Sequence, residues 1–167
     1  MALEKFEIHA LGVGPGQLAL SPLPGAGGAY DRDLSVIRDW NPDLVISMTT
    51  DAELNQVGAA GFGGDVQNAS AVWQHLPIKD FGAPSPPIQV LWPETSALAR
   101  RILVDGGRVL VHCRGGCGRS GMVVLRLMIE SGEEPAQALV RLRAIRPCAV
   151  ETDPQMDWAM MLTQHRS

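Results

Sequence analysis

The stretch His112-Cys-Arg-Gly-Gly-Cys-Gly-Arg-Ser-Gly121 concentrates more reactive chemistry than any other part of the chain. Its glycines at 115, 116, 118 and 121 let the backbone curl so that successive N–H groups face one centre. Such a nest at a helix N-terminus is an anion site. Cys113 opens the run and Arg119 closes it. N–H dipoles and a guanidinium around a thiol favour the thiolate, which is the nucleophilic form. The planar fork of an arginine matches two oxygens of a phosphate, as a lysine ammonium does not. A nucleophile, a dianion clamp and fixed donors for developing charge together describe a phosphate-ester site working through a covalent cysteinyl-phosphate. Arg114, Gly115, Gly116, Cys117, Gly118 and Arg119 form the candidate phosphate cradle.

Other chemistries fit this stretch less well. Gly116-Cys-Gly-Arg-Ser-Gly121 has the spacing of a dinucleotide fingerprint, but that motif needs a further strand and an acidic residue about 20 positions on. Position 141 is arginine, within another helical pattern. A nucleotide P-loop requires Gly-Lys before Ser or Thr, and this chain has Gly118-Arg119. Zinc ligation by His112, Cys113 and Cys117 lacks the usual spacing and a fourth ligand. A glycine-rich turn with merely buried cysteines leaves the register of Cys, Arg and Ser unexplained. No metal and no cofactor are expected.

Elements on both sides must hold this loop in place. Phe6–Leu11, Leu18–Leu20, Leu44–Met48, Ala71–Leu76 and Val109–Val111 are short apolar runs of strand type. A turn at Gly12–Gly16 separates the first two. Asp31 is placed to cap a helix carrying Leu34, Ile37 and Trp40, which Pro42 ends. Thr50-Asp-Ala-Glu53 has capping-box spacing and predicts a short helix to about Val57. Gly61–Asn68 is expected to be a flexible loop, and Pro77–Pro87 a proline-rich one. Leu91, Thr95, Leu98 and Ile102 recur at helical spacing, with Gly106-Gly107 as the stop. Met122–Ile129 is apolar nearly all round except Arg126, the pattern of a buried central helix. Two further helices are predicted, from near Pro135 to before Pro147 and from Asp153-Pro154 to about Gln164. Alternating strands and helices imply parallel crossovers, with ligands beyond the carboxyl ends of the strands. The fold expected is an α/β single-domain sandwich over residues 1–167. Its central sheet is mainly parallel, of about four to five strands flanked by helices, and the site lies at residues 112–121.

Composition sets outer bounds. The 167 residues carry 14 basic and 18 acidic side chains, a net charge of −4. That balance disfavours a nucleic-acid partner, because phosphate backbones select basic surfaces. No long apolar run predicts a membrane span, and the opening residues Met1–Glu7 lack the pattern of a secretory signal. Three cysteines cannot close a disulfide set among themselves, so a reducing, cytoplasmic setting is expected.

His112-Cys113, five residues, then Arg119-Ser120 resembles the signature of the cysteine-dependent protein tyrosine and dual-specificity phosphatases. Leu18-Ala-Leu-Ser-Pro-Leu-Pro-Gly25, Trp73-Gln-His-Leu-Pro-Ile-Lys-Asp-Phe-Gly-Ala-Pro84 and Arg146-Pro-Cys-Ala-Val-Glu-Thr-Asp-Pro-Gln155 are similar to the kinase-associated phosphatase branch. Low-molecular-weight phosphatases and arsenate reductases share the Cys-to-Arg spacing but carry it at the N-terminus.

The resemblance implies roles residue by residue. Cys113 attacks phosphorus, Arg119 holds the equatorial oxygens, and Ser120 hydrogen-bonds the sulfur or simply caps the helix. Asp80 matches the general acid on a mobile loop, with Asp65 and Asp51 as substitutes. His112 orients the loop, or is an ordinary buried histidine. Gln155 either positions water or closes a capping box with Thr152. Arg114 adds charge beside the cradle. The expected function is hydrolysis of phosphomonoesters, phosphotyrosine and also phosphoserine or phosphothreonine on proteins, because the segment building a deep phosphotyrosine pocket is absent. The partners expected are a phosphorylated protein and a phosphate or other oxyanion in the cradle. Two alternatives stay open: a thiol redox enzyme of arsenate-reductase type, and a phospho-binding pseudo-phosphatase. Cys117 or Cys148 is a further candidate to trap an oxidised Cys113 as a disulfide.

Overall fold

The structure is a computed structural model that describes residues 5–164, with side chains through Met161. Five strands form one sheet: β1 (His9–Val13), β2 (Gly16–Ser21), β3 (Leu44–Ser47), β4 (Val72–His75) and β5 (Arg108–His112). Their order is β1-β2-β5-β3-β4, antiparallel only between β1 and β2. The expected α/β sandwich with a mainly parallel sheet is the fold observed.

Alternation along the strands sorts the core into two layers, as the two-residue period requires. Leu18, Leu20, Leu44, Ile46, Val109 and Val111 face one cluster, while Ala19, Val45 and Leu110 face the other. Helices α1 (Tyr30–Trp40), α2 (Asp51–Gln56) and α3 (Phe62–Asn68) cover the second face. The first face carries α4 (Pro86–Val104), α5 (Gly118–Glu130), α6 (Pro135–Ile145) and α7 (Asp153–Gln164). Strand β5 lies between β2 and β3, so its carboxyl end opens into the middle of the molecule.

Several boundaries move. Strand β1 begins at His9 rather than Phe6 and runs to Val13, leaving a tight reversal at Gly14-Pro15. Asp31 lies inside α1; Ala29 precedes the helix without a side-chain cap, and Asn41 ends it in the left-handed conformation. Helix α4 starts at Pro86, where proline costs nothing because the first-turn N–H groups have no helical acceptor anyway. Arg126, the one break in the apolar α5, donates to Glu130 and to the carbonyl of Trp158, and lies over the Trp158 ring. Trp92 and Ser96 of α4 donate to the same carboxylate, so the buried charges join three helices.

The expected flexible loop at Gly61–Asn68 is instead largely the helix α3. Phe62 and Val66, four apart, bury one face of it completely or nearly so. Gly63 and Gly64 look like helix breakers in the sequence, but Gly63 serves contact: a Cβ there would lie 2.5 Å from the Trp73 ring. Trp73 is not free to retreat, because its Nε1 donates to Ser47 Oγ at 2.8 Å. Gly64 has open space at the same position. Gly63→Ala is therefore expected to destabilise by about 1–3 kcal/mol through overpacking. Gly64→Ala is expected to stabilise by up to about 1 kcal/mol through helix propensity. Urea unfolding of the two variants checks the opposite signs.

Candidate active site

Strand β5 delivers His112 and Cys113 to the centre of the sheet edge, and α5 starts at Gly118. The carbonyls between them are engaged from outside the loop. Arg114 O accepts from Leu23 N (3.0 Å), and Gly115 O and Gly116 O accept from the Arg146 guanidinium (2.9 and 3.1 Å). Cys117 O accepts from Val150 N (3.2 Å) and Gly121 N (2.9 Å). With the carbonyls turned outward, the peptide N–H groups turn inward, which is the geometry of an anion nest. Gly116 makes this possible at φ +71°, where a Cβ would lie 2.7 Å from Ser21 and Pro22.

Cys113 is buried, and its Sγ lies 3.2 Å from Ser120 Oγ. Arg119 is 1% exposed. Its Nη1 donates to Glu53 Oε1 (2.7 Å) and to Ile78 O (2.9 Å), and its Nη2 donates to Glu53 Oε2 (2.8 Å) and lies 3.2 Å from Asp80 Oδ1. Nε of Arg119 is buried and has no acceptor among the described residues. Burial opposes the Arg119 charge, but the Glu53 hydrogen bonds and the charges of Cys113, Glu53 and Asp80 outweigh it and raise its pKa. Burial would likewise raise the Glu53 carboxyl, yet the hydrogen bonds from Arg119 and Thr50 hold it down to about 2. Thr50 and Glu53 close the capping box of α2, so the local helix signal also fixes this carboxylate under the arginine.

Asp80 sits half exposed at the tip of a turn closed by Gly82 N donating to Lys79 O. Asp65 and Asp51 are not beside Cys113: Asp65 accepts from Tyr30 Oη, and Asp51 lies at the surface 4.0 Å from His75. Gln155 is fully buried. Its Oε1 accepts from Glu151 N and Thr152 N while its own N–H donates to Thr152 Oγ1, closing the capping box. Its Nε2 donates to Gly82 O, which ties α7 to the Asp80 turn. Arg114 points away from the cradle to Gln56 Oε1 (3.2 Å).

His112 is completely buried against Phe62, with Nε2 2.5 Å from Ser47 Oγ and Nδ1 3.3 Å from Cys113 O. Since Ser47 Oγ already accepts from Trp73, its hydroxyl proton faces Nε2, which places the ring proton on Nδ1, donating to the loop carbonyl. Burial lowers the His112 pKa to about 4, so the ring is neutral. Sequence reasoning gave no site role to Glu53, Arg146 or Ser47. Glu53 was visible only as a capping residue, Arg146 only within a family-like stretch, and Ser47 only inside an apolar run.

One expectation is overturned. Cys117 and Cys148 are joined as a disulfide, leaving Cys113 as the free cysteine. The bridge that the sequence offered, Cys113 with Cys117 or Cys148, is not the one formed. Neither Cys117 nor Cys148 is a thiol available to trap Cys113 in this form.

Two predictions follow from these contacts. Between pH 6.5 and 4 the unfolded chain protonates its histidine while the native His112 resists, so native stability falls as pH drops through that window. Glu53 extends the fall from about pH 4.5 towards 2. His112→Asn is expected to flatten the upper part of a plot of urea midpoint against pH and to keep the lower part. The Cys117–Cys148 bridge spans 31 residues, which in the chain-entropy account contributes about 3–4 kcal/mol. Reductant is expected to lower the melting temperature of the wild type and to leave that of Cys148→Ser unchanged.

Comparison with known proteins agrees with this geometry. The family model "Polymorphic toxin system, DSP-PTPase phosphatase" matches residues 22–133, more than half of the chain. "Putative tyrosine phosphatase 067L" of Invertebrate iridescent virus 3 is 37% identical over 102 residues, 56% of this chain. The match spans only 41% of that viral protein's length. Cyclin-dependent kinase inhibitor 3 of Rattus norvegicus is 32% identical over 149 residues, covering 84% of this chain and 69% of the relative. Among solved structures, kinase associated phosphatase with its catalytic cysteine changed to serine superposes with a TM-score of 0.83 at 22% identity, over 98% of this chain and 97% of that one. At that identity it speaks for the fold alone. The outward-held loop carbonyls, the buried Arg119–Glu53 pair beside Cys113 and the family match converge: the chain belongs to the DSP-PTPase phosphatase family, within the dual-specificity and protein tyrosine phosphatase superfamily.

Proposed function

We propose that this chain, as one catalytic domain, hydrolyses phosphomonoesters on proteins through a cysteinyl-phosphate intermediate. The observation that carries this is Arg119: its terminal nitrogens are committed to Glu53, Ile78 and Asp80, while its buried Nε has no acceptor among the described residues. A buried donor without a partner costs about 1–3 kcal/mol, and a phosphoryl oxygen in the nest supplies that partner. The phosphate-binding set is then the backbone of Arg114–Gly118 with the Arg119 side chain.

In the first step the Cys113 thiolate attacks phosphorus, forming the S–P bond as the ester P–O bond breaks. Asp80, as the carboxylic acid, gives its proton to the leaving oxygen. Arg119 and the inward N–H groups hold the equatorial oxygens as their charge grows. In the second step water attacks phosphorus and passes a proton to the Asp80 carboxylate. The S–P bond breaks, and the departing thiolate accepts a hydrogen bond from Ser120 Oγ, 3.2 Å from the sulfur in the structure. His112 acts as a positioning residue, holding the Cys113 carbonyl through its Nδ1–H. Gln155 positions the Asp80 turn through Gly82.

The substrates are phosphotyrosine and phosphoserine or phosphothreonine in proteins. A thiol redox enzyme is not favoured, because redox chemistry gives Asp80, beside Arg119, no task. A cytoplasmic setting belongs to this proposal with the Cys117–Cys148 pair in its reduced form, since reducing compartments keep thiols apart.

Phosphate release from a small aryl phosphate, without metal and with reductant, tests the proposal. Wild type is expected to turn over and Cys113→Ser to show none. Asp80→Asn is expected to slow turnover roughly 100-fold or more with a poor leaving group. Activity surviving in Cys113→Ser would place the chemistry elsewhere.

A further inference from the structure

Beside the catalytic loop lies a cavity of about 440 Å³ whose wall includes Arg114 and Gly115 themselves. Lys5, Arg32 and Arg114 reach it from three separate parts of the chain, the segment before β1, helix α1 and the loop. Among the described residues only one acidic side chain lines it, Asp33. That carboxylate is 3% exposed and already accepts from Gly25 N at 2.9 Å. Arg114 contacts a neutral partner, Gln56, and Lys5 and Arg32 have no carboxylate partner among the described residues. Among the described residues, three positive side chains and a single buried, hydrogen-bonded carboxylate thus surround one hollow, on a chain whose net charge is −4. Concave walls concentrate such a field and raise the local concentration of anions.

The cavity is fixed to the reaction centre. Leu23, in its wall, donates to Arg114 O, and Pro22, also in its wall, is what a Cβ at Gly116 would strike. Its apolar lining by Phe6, Pro22 and Leu23 suits the flank of an extended peptide better than a polar headgroup alone.

We propose that this cavity binds a second anionic group of a phosphopeptide substrate, a phosphate or an acidic side chain flanking the residue whose phosphate enters the cradle. The proposal rests on the phosphatase reading and adds a substrate class to it: peptides carrying a second negative charge near the target. Lys5 and Arg32 set this preference without touching the reacting phosphate.

The experiment compares kcat/KM for three synthetic peptides that share one phosphotyrosine: flanks neutral, flanked by glutamate, and flanked by a second phosphate. Wild type is expected to prefer the charged peptides. Lys5→Gln with Arg32→Gln is expected to reduce that preference about tenfold, the size of two solvent-accessible charge contacts. Turnover of a small aryl phosphate is expected to stay unchanged, which also reports an intact fold. Arg32→Glu is expected to reverse the preference, and high salt to erase it. The ratio between the glutamate and phosphate peptides tells which anion the cavity holds better. Equal rates on all three peptides, or an unaltered preference in the double variant, would overturn the proposal. So would a Lys5 and Arg32 dependence seen only with phosphoinositide vesicles. If wild type turned over no phosphate ester, the phosphatase reading would fail. Calorimetric affinities of the same peptides for Cys113→Ser, with and without the two glutamines, would still decide the cavity.

Discussion

Everything near the reaction centre depends on keeping five consecutive peptide carbonyls turned away from it. A nest of N–H groups pointing at one spot is electrostatically unfavourable on its own, because the aligned dipoles repel. The protein holds it by giving each carbonyl from Cys113 to Cys117 a donor on the outer side. Those donors come from His112, Leu23, Arg146 and Val150, which belong to sheet, β2 exit and the connection into α7. The segments flanking the loop are thus less a container than a set of clamps. Their positions follow from the sheet order, since only a central strand can release its end among so many neighbours.

Arg119 has the second fixed arrangement. A guanidinium this buried needs compensation, and breaking such a pair by removing one partner typically costs 3–5 kcal/mol. Glu53 supplies the compensation in two-pronged form, one carboxylate oxygen to each terminal nitrogen. The same carboxylate closes the first turn of α2. One residue therefore fixes a helix terminus and the direction of a site arginine, so the geometry of the clamp is inherited from a local folding signal.

What could be seen beforehand divides by range. The α/β pattern, the Cys113–Ser120 loop and both capping boxes are short-range signals, and the structure has them. The helix Phe62–Asn68 stayed hidden because two glycines argue against a helix locally, while the reason for Gly63 is a tryptophan ring brought in by another strand. Glu53 under Arg119 and Arg146 behind the loop are pairings across 66 and about 30 positions, which no local period encodes. The Cys117–Cys148 bridge was missed for a similar reason: counting three cysteines says nothing about which two face each other. Long-range partnership is set by the sheet, and the sheet order is the part of a fold that spacing along a chain expresses least.

That bridge also changes the chain as a mechanical object. Residues 117–148, which include all of α5 and α6, form a closed covalent ring within the chain. A protease cutting anywhere within the ring would open it without releasing a fragment. Under tension from the two ends, force would bypass the ring through the sulfur atoms. The fully stretched molecule would fall short of an unbridged one by roughly 100 Å, the span of 31 extended residues. The helix that follows the cradle would carry no load at all.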